Sequence, residues 1–341
     1  MPRIDLTRRQ LLGAALAIRL PRKIRVAIIG ADGHTAEVTD HLRDLPDVEF
    51  ACYALSKPNP KWSGAKHYTD HRQMLDQEKL DVVAVTTDDG ARAAAVLDCV
   101  SRKLNFVAEK PLARTREDYV RIKKAVLSSG VKMGLMLPLR YRPHFLAMRA
   151  VVDSGEIGEV VQLQGQKSYK AGADSGWKNR AESYSGTIPW VGIHMIDTMM
   201  FASRRKLVEC AAFQTRIGWP ELGVRENTAS VLYRLDNHGT ATLNCDYLRP
   251  DKAPTHDDDR LRVAGTKGVV EYQGSTGVML MTGTAPPRAV PLPPAGSLFV
   301  DYLNATYNNA TPTLSHDEIW AASEAAYAAR EAAQKGGFVK I

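Results

Sequence analysis

Short apolar segments rich in β-branched residues recur through the first 138 residues and alternate with helical segments. They are IRVAIIG (24–30), VEFACYAL (48–55), LDVVAVTT (80–87), LNFVAEKP (104–111) and VKMGLMLP (131–138). Strands that are apolar along their whole length are buried on both faces, so this order predicts a parallel sheet covered by helices. Ligands of such sheets bind at the carboxyl ends of the strands.

A different pattern follows the predicted helix RPHFLAMRAVVDSG (142–155). Residues 158–281 alternate apolar and polar side chains with period two between turn sequences, which predicts a large, mostly antiparallel sheet. A Pro-rich connector (285–294) leads to an Ala-rich helix (316–335), which is expected to pack back toward the first domain. We therefore predict an α/β domain over 24–138 and an α+β domain over 139–341.

Composition excludes several classes of protein. The net charge is +7, but the basic residues are scattered rather than gathered in a patch, so no nucleic-acid partner is expected. No apolar run is long enough to span a membrane. The four cysteines are far apart, which indicates buried free thiols. Consecutive carboxylates in THDDDR (255–260) alternate between the two faces of a strand, so no metal site is predicted there.

The N-terminus contains LTRRQLLGAALA, in which Arg8 and Arg9 precede a short Leu/Ala/Gly run. This pattern resembles a twin-arginine export signal within residues 1–23, which would place the protein in the periplasm. The short apolar core and the early Arg19 leave a second interpretation open, a cytoplasmic protein with an N-terminal helix or tail.

The segment VAIIGADGHTAE (26–37) lies where a dinucleotide site belongs, between the first strand and the first helix. Gly30 and Gly33 allow the backbone to approach a pyrophosphate, and His34 follows them. Asp32 occupies the position of the second glycine, where a carboxylate repels phosphate unless it points away as a helix cap.

The second strand ends in ALSKP rather than in an acidic residue. An acidic residue there binds the ribose hydroxyls of NAD, whereas Ser56 and Lys57 suit a 2′-phosphate. The pattern slightly favours NADP over NAD, and an ordinary polar turn before Pro58 remains the alternative.

Motifs in a fixed order resemble the Gfo/Idh/MocA oxidoreductase family over nearly the whole chain from residue 24. They are VTTDDGAR, VAEKPLART, GLMLPLRYRPHF, DSGEIGEV, GIHMID and RVAGTKGVVE. The resemblance implies a Rossmann domain, a C-terminal domain on a large antiparallel sheet, and hydride transfer between NAD(P) and a sugar, polyol or related hydroxy compound. It also implies that Thr87, Asp88, Glu109, Lys110 and Arg140 line the cofactor site, and that the protein is a homo-oligomer, a dimer or tetramer.

The resemblance places catalysis on Lys110, which would contact both nicotinamide ribose and substrate hydroxyl, and on His194. The spacing puts Asp197 on the same helix face as His194, where it either orients the imidazole or neutralises Arg204 or Arg205. A partly desolvated Lys or His can accept a hydroxyl proton near neutral pH.

The sequence departs from the family at Trp190, since many members have an aspartate four residues before the histidine. A tryptophan cannot accept a proton, although it can stack on a sugar face. Candidate substitutes are Asp197, Tyr184 and Asp174. The predicted substrate residues are Lys110, Tyr141, Trp177, Tyr184, Trp190, His194 and His256.

The sequence leaves three functions open. The first is an NAD(P)-dependent oxidoreductase of a sugar or polyol. The second is a glycoside-cleaving enzyme that retains its cofactor and works by transient oxidation, and the third is a non-catalytic ligand-binding relative.

Overall fold

The computed structural model describes residues 18–42, 44–172 and 176–341. Arg8 and Arg9 of the predicted export signal, and Asp174, lie outside the described residues. The chain forms two compact units. The first unit runs to Pro138 and also includes Pro294–His316. The second unit comprises Leu139–Pro293 and Asp317–Ile341. Residues 294–316, which the sequence analysis assigned to the second domain, thus belong to the first unit.

The first unit is built on a parallel sheet with strand order β3-β2-β1-β4-β5-β6. Its strands are β1 (Ile24–Gly30), β2 (Val48–Ala54), β3 (Lys66–Tyr68), β4 (Val82–Thr86), β5 (Asn105–Ala108) and β6 (Met133–Leu135). At its centre Ile28 lies between Tyr53 and Ala84 on the neighbouring strands. The predicted parallel sheet is confirmed, and β3 is an addition that the sequence analysis did not predict.

The helices, in chain order, flank both sheets. They are α1 (Ala36–Thr39), α2 (His71–Gln77), α3 (Asp89–Ser101), α4 (Arg116–Ser129), α5 (Pro143–Ser154), α6 (Ile193–Ser203), α7 (Leu298–Asn308) and α8 (His316–Lys335). A π-helical turn, Ile188–Gly192, leads into α6, and short 3-10 turns cover Pro60–Trp62, Pro138–Tyr141, Gly176–Asn179 and Pro220–Leu222. In the part of the chain described, no helix is both long and apolar enough to cross a membrane.

Two helices differ from the sequence analysis. The amphipathic pattern of TAEVTDHLRDL, which follows β1, predicts one longer helix, but α1 covers only four residues before the chain turns. Helix α7 was not predicted. Ser297 caps it by accepting from the Val300 backbone N–H, and Phe299 and Leu303 are fully buried.

The second unit contains a nine-stranded sheet of order β14-β13-β12-β11-β7-β10-β9-β8-β15. Its strands are β7 (Val160–Lys170), β8 (Leu207–Thr215), β9 (Thr228–Leu235), β10 (Thr240–Arg249), β11 (Asp257–Gly265), β12 (Gly268–Gln273), β13 (Gly277–Thr282), β14 (Arg288–Ala289) and β15 (Val339–Lys340). All neighbours are antiparallel except β7 and β10, which are parallel. The predicted mostly antiparallel sheet is confirmed, with one parallel pair where β10 returns to lie beside β7.

Helix α6 packs on the middle of this sheet at Gly165 of β7. A Cβ at Gly165 would lie 2.7 Å from Met195 Cγ and 3.0 Å from Met199 Sδ. The absence of a side chain therefore lets α6 approach β7. The four cysteines are free and buried, as predicted.

We predict that Gly165→Ala lowers the free energy of unfolding by about 1–3 kcal/mol, because an added methyl overpacks the contact between β7 and α6. Gly64→Ala is the matched control, since no atom lies within 4 Å of its added Cβ. That change should alter stability by less than about 1 kcal/mol. Urea unfolding of both variants tests the difference, and equal losses would contradict the packing argument.

Candidate functional site

The turn after β1 passes close over the end of β4. Gly30 has φ +86°, and a Cβ there would lie 2.5 Å from the Thr86 carbonyl oxygen. The Asp32 backbone N–H donates to that same carbonyl at 2.8 Å. Only glycine fits at position 30, so the turn is a close backbone approach of the kind that a pyrophosphate site uses.

Asp32 is not the N-cap of α1. The N-cap is Thr35, whose hydroxyl donates to the Asp32 carbonyl at 2.9 Å. Thr35 makes no side-chain capping hydrogen bond to α1, and Asp32 does not occupy the N-cap position that the sequence analysis considered for it. Asp32 is half-buried and lines a cavity beside the glycine turn.

Glu109 connects this turn to the end of β5. Its buried carboxylate accepts from the His34 backbone N–H at 3.1 Å and lies 2.8 Å from His34 Nδ1. Lys110 Nζ is 3.5 Å away. Burial alone would raise the pKa of Glu109, but His34 and Lys110 outweigh it and hold that pKa at about 2.

Gly33 completes the contact between the turn and Glu109. Its φ is +62°, and a Cβ would lie 2.6 Å from Glu109 Cδ. Lys110 is 1% exposed, and the Lys110–Pro111 peptide bond is cis. The glycine turn and the EKP motif are therefore one packed arrangement in the first unit.

A cavity of about 330 Å³ lies beside the turn, at the carboxyl ends of β1, β2 and β4. This is the point where strand order reverses, at which doubly wound sheets bind ligands. The predicted cofactor residues that line the cavity are Gly30, Asp32, Ser56, Thr87 and Asp88. Lys57 is exposed next to Ser56.

Arg92, which is not among the predicted site residues, holds the ends of β4 and β5 together. Its side chain is fully buried and pairs with Asp89 at 2.8 Å. It also donates to the carbonyl oxygens of Thr87 and Pro111, the second at 2.6 Å. Its place in the VTTDDGAR motif was the available signal, but its partners are distant in sequence.

In the second unit, His194 and Trp190 are buried on successive helical turns. The Trp190 ring, 4% exposed, meets the edge of Trp177 at a centroid distance of 4.9 Å. Lys178 Nζ lies 5.0 Å from the Trp190 ring centroid. His194, 1% exposed, is the second residue of α6. The structure thus brings Trp177, Lys178 and Trp190 into one cluster.

Asp197 is bound by Arg140 rather than by Arg204 or Arg205. Both guanidinium edges of Arg140 are used, because it pairs with Asp197 through Nε and Nη2 and with Glu318 at 2.9 Å. Burial raises the pKa of Asp197 while Arg140 opposes that rise. The carboxylate therefore depends on this guanidinium for its charge.

Arg204 and Arg205 have partners of their own, which are Asp153 and Glu159. The neutralising role proposed for Asp197 at the helix end is therefore wrong. Arg140, predicted to contact cofactor, is buried with both acids in the second unit.

Tyr184 lies in a hydroxyl cluster rather than on an exposed loop. Its hydroxyl is 3.1 Å from both the Tyr247 hydroxyl and Thr187 Oγ1. Thr187 in turn donates to the Glu226 carbonyl at 2.6 Å. Tyr141 is also buried, whereas His256 is exposed with its ring 4.8 Å from the Tyr169 ring.

The acidic run splits between two partners, as strand alternation predicted. Asp257 and Asp259 face the buried Lys167 at 3.3 and 2.7 Å, while Asp258 pairs with Arg260. Two of the three carboxylates thus neutralise a lysine that the sequence analysis did not single out, so the run is not simply solvated. Among the described residues, no group of three or more His, Cys, Asp or Glu side chains suits a metal ion.

The fold and the first unit's site define a two-domain oxidoreductase of the NAD-binding Rossmann class. A family model described as "Oxidoreductase family, NAD-binding Rossmann fold" matches residues 24–136. A second, described as "GFO/IDH/MocA C-terminal domain", matches residues 145–271. The chain belongs to the Gfo/Idh/MocA oxidoreductase family.

Several individual proteins are similar to this chain. A solved structure from Thermotoga maritima is 32% identical with a TM-score of 0.88, covering 93% of this chain and all of that one. Inositol 2-dehydrogenase 2 of Saccharopolyspora erythraea is 29% identical, over 45% of this chain and 44% of the relative. Inositol 2-dehydrogenase of Salmonella paratyphi B is 26% identical, over 61% and 59%. The chain spans about half the length of these two curated relatives.

We predict that Glu109→Gln lowers the free energy of unfolding at pH 7 by about 3 kcal/mol, the scale set by its depressed pKa. The ionised Glu109 carboxylate stabilises the fold at a pH above 4.5, the pKa of the unfolded state. This stabilisation is lost as the pH falls toward 2, the pKa in the folded state. The difference in the free energy of unfolding between wild type and variant should therefore become smaller as the pH falls from 4.5 to 2.

Urea unfolding from pH 7 to pH 2 measures this gap. Glu117→Gln, an exposed carboxylate in the first turn of α4, is the control and should change stability far less. A gap that is independent of pH would contradict the ionised state of Glu109.

Proposed function

We propose that this chain is an NAD(P)-dependent dehydrogenase that oxidises a secondary hydroxyl of a sugar or polyol. The observation that carries the proposal is the buried Glu109 carboxylate, which holds His34 of the glycine turn and the Lys110 ammonium at the end of β5. The names of the inositol 2-dehydrogenases that the chain resembles support a polyol or sugar substrate.

The first unit fits a nicotinamide dinucleotide. The glycine turn leaves no room for a Cβ at Gly30, and the adjacent cavity has the ends of β2 and β4 as walls. Ser56 and the exposed Lys57 suit a 2′-phosphate, so we propose NADP as the preferred form. When bound, the nicotinamide ring supplies the hydride acceptor of the reaction.

Lys110 is the proposed hydroxyl-orienting residue. Its buried Nζ lies 3.5 Å from the Glu109 carboxylate, and an ammonium is a hydrogen-bond donor to a hydroxyl oxygen. Its contact with Glu109 limits the positions that Nζ can take. Lys110 therefore serves to bind the hydroxyl oxygen and to stabilise negative charge on it.

His194 is the proposed proton acceptor on the second unit. Of the carboxylate and phenol substitutes considered for the missing aspartate, Asp197 is paired with Arg140, and the Tyr184 hydroxyl is shared between Tyr247 and Thr187. Trp190 supplies an aromatic face and no proton acceptor.

We predict that Lys110→Met, which keeps the buried volume, lowers kcat/KM about 10²- to 10⁴-fold. Lys124→Met, an exposed lysine on α4, is the control and should leave kcat/KM within about threefold of wild type. Turnover is followed by NAD(P)H absorbance with inositols and aldoses. Equal turnover by wild type and Lys110→Met would overturn the role of Lys110, and no turnover by wild type would overturn the proposed reaction.

A further inference from the structure

A second cavity, of about 610 Å³, lies in the second unit where β11 begins and β12 ends. All fourteen residues that line it belong to that unit, and all except Leu139, Pro254 and Gly274 have a side chain that forms hydrogen bonds. The volume lies within the range of about 300–1,000 Å³ that small-molecule sites occupy. This lining includes none of the residues proposed above for cofactor binding or catalysis. The cavity is therefore a candidate site that the proposed function leaves unassigned.

The cavity lies on the same face of the second unit's sheet as α6. Asp257 and Asp259, which line it, lie 3.3 and 2.7 Å from the buried Lys167 of β7. Lys167 is two residues beyond Gly165, so both point to one side of the strand, and α6 packs on Gly165. Helix α6 carries His194, the proposed proton acceptor. The cavity and that histidine thus share one face of one sheet.

Charged side chains of both signs line the cavity. Asp258 lies 2.7 Å from Arg260 and 3.4 Å from Arg249, so two guanidinium groups share one carboxylate. The exposed Arg142 adds a third guanidinium. An anion in the cavity would meet the carboxylates, and a cation would meet the guanidinium groups. A neutral ligand rich in hydroxyls avoids both repulsions, because each hydroxyl can donate to a carboxylate and accept from a guanidinium.

Two stacked rings form another part of the lining. The half-buried His144 imidazole and Tyr272 ring have centroids 4.0 Å apart and planes 3° from parallel, and Phe145 meets Tyr272 edge-on at 5.4 Å. Burial, and then the nearby Arg142, lower the pKa of His144 to about 4. The imidazole is therefore neutral at pH 7 and offers one donor and one acceptor. Rings beside hydrogen-bonding groups suit a sugar, which has an apolar face and a hydroxylated edge.

We propose that this cavity binds a second sugar ring of the substrate, so that the dehydrogenase acts on a neutral glycoside or oligosaccharide rather than on a free monosaccharide or inositol. The inference rests on the proposed function for the reaction and adds the class of substrate. A single ring held at His194 would leave the cavity unused. A substrate of two or more rings occupies both, since both lie on one face of the sheet.

Isothermal titration of the full chain with disaccharides and their single rings tests the proposal. The disaccharides are cellobiose, maltose, lactose, mannobiose and xylobiose. We expect at least one to bind about tenfold or more tightly than either of its constituent sugars, because the second ring gains hydrogen bonds and a ring contact. Glucose 6-phosphate and glucosamine report the preference for charge, and we expect both to bind more weakly than that disaccharide.

Two matched variants locate the second ring. His144→Asn removes one ring of the stacked pair, so it should weaken binding of that disaccharide about tenfold and leave the single sugar within about threefold of wild type. His238→Asn, in the exposed turn after β9, is the control and should change neither. Thermal unfolding checks that each variant folds, and the ranking of ligands by wild type requires no variant.

The outcomes separate this inference from the dehydrogenase assignment. No disaccharide bound more tightly than its single rings, a preference for glucose 6-phosphate or glucosamine, or an equal loss of both ligands in His144→Asn would overturn the second-ring site. Disaccharide binding that depends on His144, in a protein that turns over no sugar with NAD(P), would support the site and overturn the dehydrogenase instead.

Discussion

The cofactor half of this protein depends on one buried carboxylate, that of Glu109. Burial disfavours its charge, and the contacts with His34 and Lys110 restore it. Those same contacts fix the glycine turn against the end of β5 and limit the positions of the lysine proposed to act on substrate. Gly33 is required because a side chain there would occupy the space that Glu109 fills. Sequence motifs 75 residues apart are thus one electrostatic unit.

Buried charge also organises the second unit, with one exception. Arg140 joins Asp197 of α6 to Glu318 of α8, and Lys167 is neutralised by Asp257 and Asp259. Each of these two basic side chains forms ion pairs with two carboxylates. Arg225 differs, because one edge of its guanidinium has no acceptor among the described residues.

The sequence predicted those features that depend on local pattern. Continuous apolar runs located five of the six parallel strands, while β3 has only three residues, one of them buried, and gives no such signal. Strand alternation correctly separated Asp258 from Asp257 and Asp259. Partners distant in sequence were not predictable. Arg140 lies 57 residues from Asp197, and nothing in either segment specifies the pair.

The central claim is that the first unit binds a nicotinamide dinucleotide, and equilibrium titration of the purified full chain with NADPH and with NADH tests it most directly. Cofactor fluorescence reports binding without requiring a substrate. We predict saturable binding of one dinucleotide per chain, with NADPH bound more tightly than NADH because Ser56 and Lys57 suit the 2′-phosphate. Absence of saturable binding by either dinucleotide would contradict the account.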